Sequence, residues 1–554
     1  MSGEAFDELV AAAQRWRAAD PDPATRAEID GVLARRDEAE LRELFGAGLE
    51  FGTAGIRGPL GPGPNRMNRA VVRRTTAGIA RHLLEAVPDA ASRGVVVARD
   101  ARHGSSAFEQ EAVATLTAHG VRVHRFDEPV PTPLAVAAVT ALGAAAGVVV
   151  TASHNPPGDN GMKVVWCDGA QIAPPVDAAI AQAVEAAGDA VPPADTAAAP
   201  VEDLGGATGD HRVVRGYVDR CASMVTVPPP CRLRVATTAL HGVAGDLLDR
   251  VLAAAGHDDV HTVASQRRPD PDFPTVAVPN PEDPAALAEL RSLAARVGAD
   301  VALANDPDGD RLAVAVPEAA GTGWRILTGD EVGAVLLAHL LERTAGVPDR
   351  LVVTTVVSSR LAGRMCAAAG VHFRETATGF KWLCRPGLEH PGWHQVLLYE
   401  EALGYAVGPG VRDKDGIAAA VVLLDALGHQ QTLGRGLPDV LDDLARAHGA
   451  FVTSNGSVRT SRERLDAAFA APRTSLGGRR VVDADRPAAD VLRWFLDDDT
   501  RVVVRPSGTE PKVKYYCEAV EQVGRDGDVA AARQAAAARL EPVVAEVQGL
   551  LGDG

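Results

Sequence analysis

Short β-branched runs and longer helical spacings alternate along most of this chain. Residues 1–45 differ: Phe6, Leu9, Val10 and Trp16, then Leu33, Leu41 and Leu44, recur at helical spacing among alternating charges. They predict two amphipathic helices split at Pro21-Asp22-Pro23, forming a packing cap. From Leu49 the period switches. A helix near 69–86, the strand Val95-Val96-Val97, a further helix, the strand Val121-Arg122-Val123 and the run Val148-Val149-Val150 predict an α/β unit with a largely parallel sheet. The Ala/Pro-rich segment 186–204 interrupts that pattern and marks a boundary.

A second α/β unit follows, with a strand at 233–237, a turn at Leu240-His241-Gly242, a helix at 244–255, a proline-rich loop at 268–284 and strands at 301–304 and 312–316. A third begins near Ile326 with a helix at 330–343, a strand at 351–357, the loop 376–382, and an Ala/Val helix after Gly416. The last, from about 448, ends in a strand at 501–504, the loop 505–512 and a long Ala-rich helix after 528. No clean internal repeat is visible.

The chemistry concentrates where strands stop. Val148-Val149-Val150 runs into Thr151-Ala152-Ser153-His154-Asn155-Pro156, a loop that also carries Lys163. A serine at a strand end is held by the sheet yet open to a substrate, but it needs a base or a metal before it attacks anything. His154 is the tempting base; neighbours in an extended segment point to opposite faces, which argues against a hydrolase-type pair.

Asp306-Pro307-Asp308-Gly309-Asp310-Arg311 spaces three carboxylates by two residues in a strand-to-strand loop, a set of hard oxygens suited to Mg²⁺. An EF-hand is excluded, because its sixth position is Arg311 rather than glycine and its twelfth is Pro317 rather than glutamate. Arg505-Pro506-Ser507-Gly508-Thr509 offers a guanidinium, two hydroxyls and backbone N–H groups, which suits a phosphate. Gly52 to Gly58 is a second glycine-rich loop, carrying Arg57 but no nucleotide-type Gly-Lys-Ser/Thr ending. Asp100 and Arg102 read as a structural ion pair beneath the Ser153 loop. Together the serine, the acidic loop, the lysine and the phosphate-grasping loops specify phosphoryl transfer better than acyl transfer.

Composition narrows the partners. At 554 residues with 46% apolar and 23% charged residues, this is an ordinary globular chain of several domains. A net charge of -17 and 4% aromatics argue against a nucleic-acid surface. Six scattered cysteines show no zinc or redox spacing. The N-terminus has no apolar signal core and no run approaches a membrane span, so the expected location is cytoplasmic, without a membrane partner.

Four blocks in order carry a resemblance: TASHNP at 151–156, DPDGDR at 306–311, EEALGY at 400–405 and RPSGTEPK at 505–512. With them the chain resembles the α-D-phosphohexomutase superfamily of phosphoglucomutases and phosphomannomutases, in its phosphoglucomutase-2-like branch. The resemblance implies three related α/β mixed-sheet domains and a C-terminal α+β helix-on-sheet domain around a central cleft, expected at 1–205, 206–317, 318–445 and 446–554. It implies a phosphorylated Ser153, Mg²⁺ on Ser153, Asp306, Asp308 and Asp310, and Lys163 as general acid/base, with His154 beside them. It further implies sugar-phosphate contacts from Arg57, Arg311, Thr378, Gly379, Lys381, Glu401 and Gly404, and a phosphate clamp of Arg505, Ser507, Gly508 and Thr509. In the sugar loop Glu401 keeps an acidic acceptor, whereas Leu403 and Tyr405 stand where many members have a hydroxyl and an imidazole. The expected activity interconverts hexose 1- and 6-phosphates, primed by hexose 1,6-bisphosphate, in a monomer or homodimer. A phosphopentomutase acting on ribose 1-phosphate and a non-catalytic sugar-phosphate sensor are the alternatives.

Overall fold

The computed structural model describes residues 3–50, 55–188, 199–318, 323–460, 473–506, 512–524 and 527–552. The chain divides into two units. The first takes residues 1–326, 404–406 and 410–425, and the second takes 327–403, 407–409 and 426–554.

The first unit opens with three helices, not two: Gly3–Ala19, Pro23–Arg35 and Glu38–Phe45. Pro23 starts the second, as expected of a residue lacking the N–H that a first turn leaves unpaired. The further break lies at Arg36, which turns left-handed (φ 52°), and at Asp37, whose side chain caps the third helix by accepting from Glu40 N–H. Trp16, Ile29, Leu41 and Phe45 bury these helices in the same core as the first sheet.

That sheet contains β1 (Ile56–Pro59), β2 (Val95–Arg99), β3 (Val123–Arg125), β4 (Ala146–Val150), β5 (Asp159–Trp166) and β6 (Val201–Asp203), ordered β1-β5-β4-β2-β3-β6. β4, β2, β3 and β6 are parallel, while β5 runs antiparallel to both of its neighbours, β4 and β1, so the sheet is mixed. Lys163 therefore lies in strand β5 opposite Val149, not in the loop where its sequence context put it. Gly, Asp and Asn at 158–160 disguise the start of β5, whose apolar core is just Met162, Val164 and Val165.

A second sheet is ordered β11-β10-β9-β7-β8, from β7 (Arg234–Thr238), β8 (Asp259–Thr262), β9 (Val301–Ala304), β10 (Ala313–Pro317) and β11 (Trp324–Ile326). β9 runs parallel to β7 and antiparallel to β10, and the acidic turn joins β9 to β10. Burial of β9 on both faces fits its unbroken apolar sequence.

In the second unit β12 (Arg350–Thr355), β13 (His372–Thr376) and β14 (His394–Glu400) pair in parallel. The helix Gly329–Arg343 beside them starts with a capping box between Thr328 and Glu331. The strand β15 (Gly404–Val407) comes next along the chain, its first three residues counting with the first unit. The C-terminal sheet is antiparallel, β16-β21-β20-β19-β18-β17, from β16 (Ala450–Arg459), β17 (Ser475–Leu476), β18 (Arg479–Ala488), β19 (Val491–Leu496), β20 (Arg501–Pro506) and β21 (Lys512–Glu521). Ala536, Leu540, Val543 and Val547 of the helix Val529–Leu551 pack onto its apolar face. Among the described residues, no helix is long and apolar enough to cross a membrane.

Candidate active site

The turn after β4 departs from extended backbone at Ser153, whose φ is +54°. A non-glycine residue in the left-handed region is strained, so neighbours must hold it. Thr151 Oγ1 accepts the Ser153 N–H at 2.8 Å and donates to Asp100 at 2.7 Å. Arg102 does most of the holding. Its guanidinium donates to the carbonyls of Ser153 (2.5 Å), Asn155 (2.6 Å), Pro156 (2.8 Å) and Asp159 (3.2 Å), with Asp100 as counter-charge at 3.3 Å. The Phe273 ring, from the proline-rich loop, covers its face at 5.0 Å. The structural ion pair read beneath this loop is thus also what replaces its missing ladder bonds.

The left-handed turn overturns one expectation. Ser153 and His154 do not point to opposite faces; Ser153 Oγ lies 3.3 Å from His154 Nδ1. Burial, reinforced by the nearby charges of Arg311 and Arg57, pushes the imidazole pKa well below its ordinary value, so the ring is held neutral.

Ser153 Oγ donates to Asp306 Oδ2 at 2.9 Å. Gly309 (φ 73°) lets the acidic turn close, and the Arg311 N–H donates to Asp306 Oδ1 at 3.0 Å. Asp306, Asp308 and Asp310 are fully buried and bring one oxygen each within 4.8 Å of one another. Lys163 Nζ donates to Asp308 and Asp310, at 2.6 Å each, while Thr132 Oγ1 donates to Asp308 at 2.6 Å. Burial disfavours the charged lysine, but these two carboxylates outweigh it and raise its pKa. For Asp306 burial and the two neighbouring carboxylates act in one direction, well upward. Among the described residues, Oδ1 of Asp308 and Oδ1 of Asp310 are buried without a hydrogen-bond donor. Two orphaned oxygens in a hard-oxygen cluster fit a divalent cation.

Cations surround this anionic centre. Arg57, on β1, is half-buried beside Asp308, Asp310 and Arg311, and its buried Nε makes no hydrogen bond among the described residues. Desolvation, then the charges of Arg311 and Arg102, lower its pKa against the pull of the aspartates. A half-buried guanidinium in that position suits an anion. Arg311 pairs with Glu282 at 2.6 Å and its backbone bridges to Gly404. Lys414 adds a charge 3.3 Å from Asp310; sequence reasoning misses it, although a lysine between Asp413 and Asp415 is the available signal.

The remaining expected contacts lie in the second unit. Glu401 Oε2 accepts from Thr355 Oγ1 at 3.1 Å and Ser358 Oγ at 3.4 Å. Arg505 donates to the Tyr516 hydroxyl at 3.0 Å. The Thr378 hydroxyl is buried without a partner among the described residues, and Gly379 has a φ of 111°. Lys381 belongs to a short helix, Phe380–Leu383, rather than an open loop, and is buried with Nζ 5.3 Å over the Trp382 ring. Leu403 and Tyr405 are both buried, which makes them packing residues. Ser507, Gly508 and Thr509, like Gly52, lie outside the described residues.

Comparison with known proteins places matches along the chain in the same order. Residues 48–190, 215–321 and 328–447 match the phosphoglucomutase/phosphomannomutase alpha/beta/alpha domains I, II and III, and 465–536 match the C-terminal domain of that family. A probable phosphoribomutase of Schizosaccharomyces pombe is 34% identical over 92% of this chain and 93% of its own. A probable phosphomannomutase of Haemophilus influenzae is 35% identical over 83% of this chain and 95% of its own. The crystal structure of a phosphoglucomutase/phosphomannomutase family protein from Burkholderia thailandensis shares the fold with a TM-score of 0.70, at 23% identity, over 90% of this chain and 97% of that one.

Proposed function

From the premise that the chain belongs to the phosphoglucomutase/phosphomannomutase family of isomerases, we propose that it interconverts hexose 1-phosphates and hexose 6-phosphates through phospho-Ser153 and a hexose 1,6-bisphosphate. The observation that carries this reading is the 2.9 Å contact of Ser153 Oγ with Asp306, inside a cluster whose other carboxylates share Lys163. A pure binder needs no buried hydroxyl set against three carboxylates.

In the forward half-reaction the P–O bond to Ser153 breaks and a P–O bond forms to the free hydroxyl of the sugar monophosphate. The sugar hydroxyl loses its proton to a base, a role we assign to neutral His154, whose Nδ1 lies 3.3 Å from Ser153 Oγ. Lys163, held protonated by its carboxylates, supplies a proton to the departing Ser153 oxygen. The bisphosphate then returns its other phosphoryl group to Ser153 by the same steps reversed. Asp306, Asp308, Asp310 and Ser153 would hold Mg²⁺, which supplies neutralisation of charge on the transferring group. Arg57 and Arg311 bind the phosphate at the reacting end; Arg505, with Ser507, Gly508 and Thr509, binds the other; Glu401 accepts sugar hydroxyls.

A pentose reading, ribose 1-phosphate to ribose 5-phosphate, is favoured by the near full-length likeness to a probable phosphoribomutase. The experiment is kcat/KM for glucose 1-phosphate, mannose 1-phosphate and ribose 1-phosphate with Mg²⁺, the matching bisphosphate and Ser153→Ala as blank. A hexose lead of about tenfold or more upholds the first reading, a ribose lead installs the second, and activity surviving in Ser153→Ala overturns both.

A further inference from the structure

Glu401 is fixed at its backbone but not, by backbone alone, at its carboxylate. Gly329, at the start of its helix, approaches so closely that a Cβ there would lie 2.0 Å from the Glu401 carbonyl oxygen. The side chain borders a polar recess lined among others by Asp330, Thr453, Asn455, Arg501 and Glu518. What fixes the carboxylate is therefore its own hydrogen bonds.

Thr355 ends β12 and Ser358 lies three residues on; both are 0% exposed. Thr355 Oγ1 is 2.8 Å from Ser358 Oγ, receives the Ser358 N–H at 3.2 Å, and reaches Glu401 Oε2 at 3.1 Å. Two hydroxyl protons must serve three oxygen contacts. The assignment that uses the shorter pair has Ser358 donate to Thr355 and Thr355 donate to Glu401, leaving the 3.4 Å Ser358–Glu401 contact as the weakest. A hydroxyl that accepts twice donates more strongly. Both contacts fall on Oε2, and Oε1 takes no hydrogen bond among the described residues.

We infer that Thr355 is a positioning residue for sugar selection, its hydroxyl holding Glu401 so that Oε1 is presented to the sugar. The inference rests on the reading of Glu401 as the acceptor of sugar hydroxyls. Sequence alone gave no reason to single out Thr355, which looks like one more β-branched residue at the end of a strand.

The test compares Thr355→Val, which keeps shape and removes the hydroxyl, with Thr355→Ser, which keeps the hydroxyl, and with Glu401→Gln. The readouts are kcat/KM for glucose 1-phosphate, mannose 1-phosphate and ribose 1-phosphate, and the melting temperature. The expected result is a roughly tenfold collapse of the ratio between preferred and second sugar in Thr355→Val, carried by KM, restored in Thr355→Ser and absent when Thr355→Val is added to Glu401→Gln. An equal loss for all three sugars makes Thr355 merely structural and overturns the inference, as does a full effect in the Glu401→Gln background. If Glu401→Gln itself leaves every ratio unchanged, Glu401 is not the acceptor of sugar hydroxyls, and the inference falls with that reading rather than on its own account. Should Thr355→Val not fold, Thr355→Ala removes the same hydroxyl with less bulk, and an unaltered ratio there overturns the inference equally.

Discussion

Ser153 Oγ donates to Asp306 Oδ2 across 2.9 Å, joining the loop after β4 to the turn between β9 and β10. Asp306→Asn keeps the size of the side chain while removing one of three crowded, buried negative charges. The expected outcome is a fall in kcat of roughly a hundredfold or more without loss of thermal stability. Steady-state kinetics and a melting curve on the same preparation check both halves.

Lys163 carries the opposite kind of burden. Removing its ammonium strands Asp308 and Asp310 without their shared cation, so Lys163→Met is expected to lose about 3–5 kcal/mol in urea unfolding as well as activity. Adding Mg²⁺ is expected to raise the variant's melting temperature more than the wild type's, since a second cation then takes over the neutralisation.

Arg102 touches four loop carbonyls and no expected substrate group, so its loss acts through geometry. Arg102→Ala is expected to cost on the order of 2–4 kcal/mol and most of kcat. Arg102→Lys recovers little of either, because an ammonium cannot fork to four acceptors. Urea melts together with phosphoserine content by mass analysis distinguish this from simple unfolding.

Asp330 gives a pH dependence with a definite sign. Burial, helped by Glu401 and Glu518 and opposed by the Ser359 N–H and Arg501, pushes its pKa up to about 8. Unfolded, it titrates near ~4. The folded protein therefore keeps a proton that the unfolded chain releases across this window, and stability falls as pH rises from about 4 to about 8. Asp330→Asn, which has no proton to lose, is expected to gain on the order of 4 kcal/mol relative to wild type on going from about pH 5 to about pH 9. Denaturant titrations at the two pH values measure it.

The elements visible in the sequence were those with a strong period and a clean boundary. The helix Arg69–Ala86 and strand β9 fall where the apolar pattern put them, and the three aspartates converge as alternate positions of one turn should. What was hidden depended on tertiary contacts. β5 starts with turn-forming residues and is a strand because β1 and β4 flank it. His154 meets Ser153 because Arg102 holds a left-handed backbone, a long-range effect that local periodicity does not record. Lys381 sits in a helix too short to announce itself.

The first unit recruits residues 404–406 and 410–425 from far along the chain, and with them come Lys414 beside Asp310, Asp413 bound to Gln171 and Asp415 bound to Tyr217 and Arg220. On the ribosome these contacts cannot form when residue 326 emerges. At about 5–20 residues per second, translation must continue for roughly 5–20 s before the unit has its last segment. During that interval the buried acid cluster waits for one of its lysines, and Tyr217 and Arg220 wait for their carboxylate, so the nascent chain passes through an incomplete first unit.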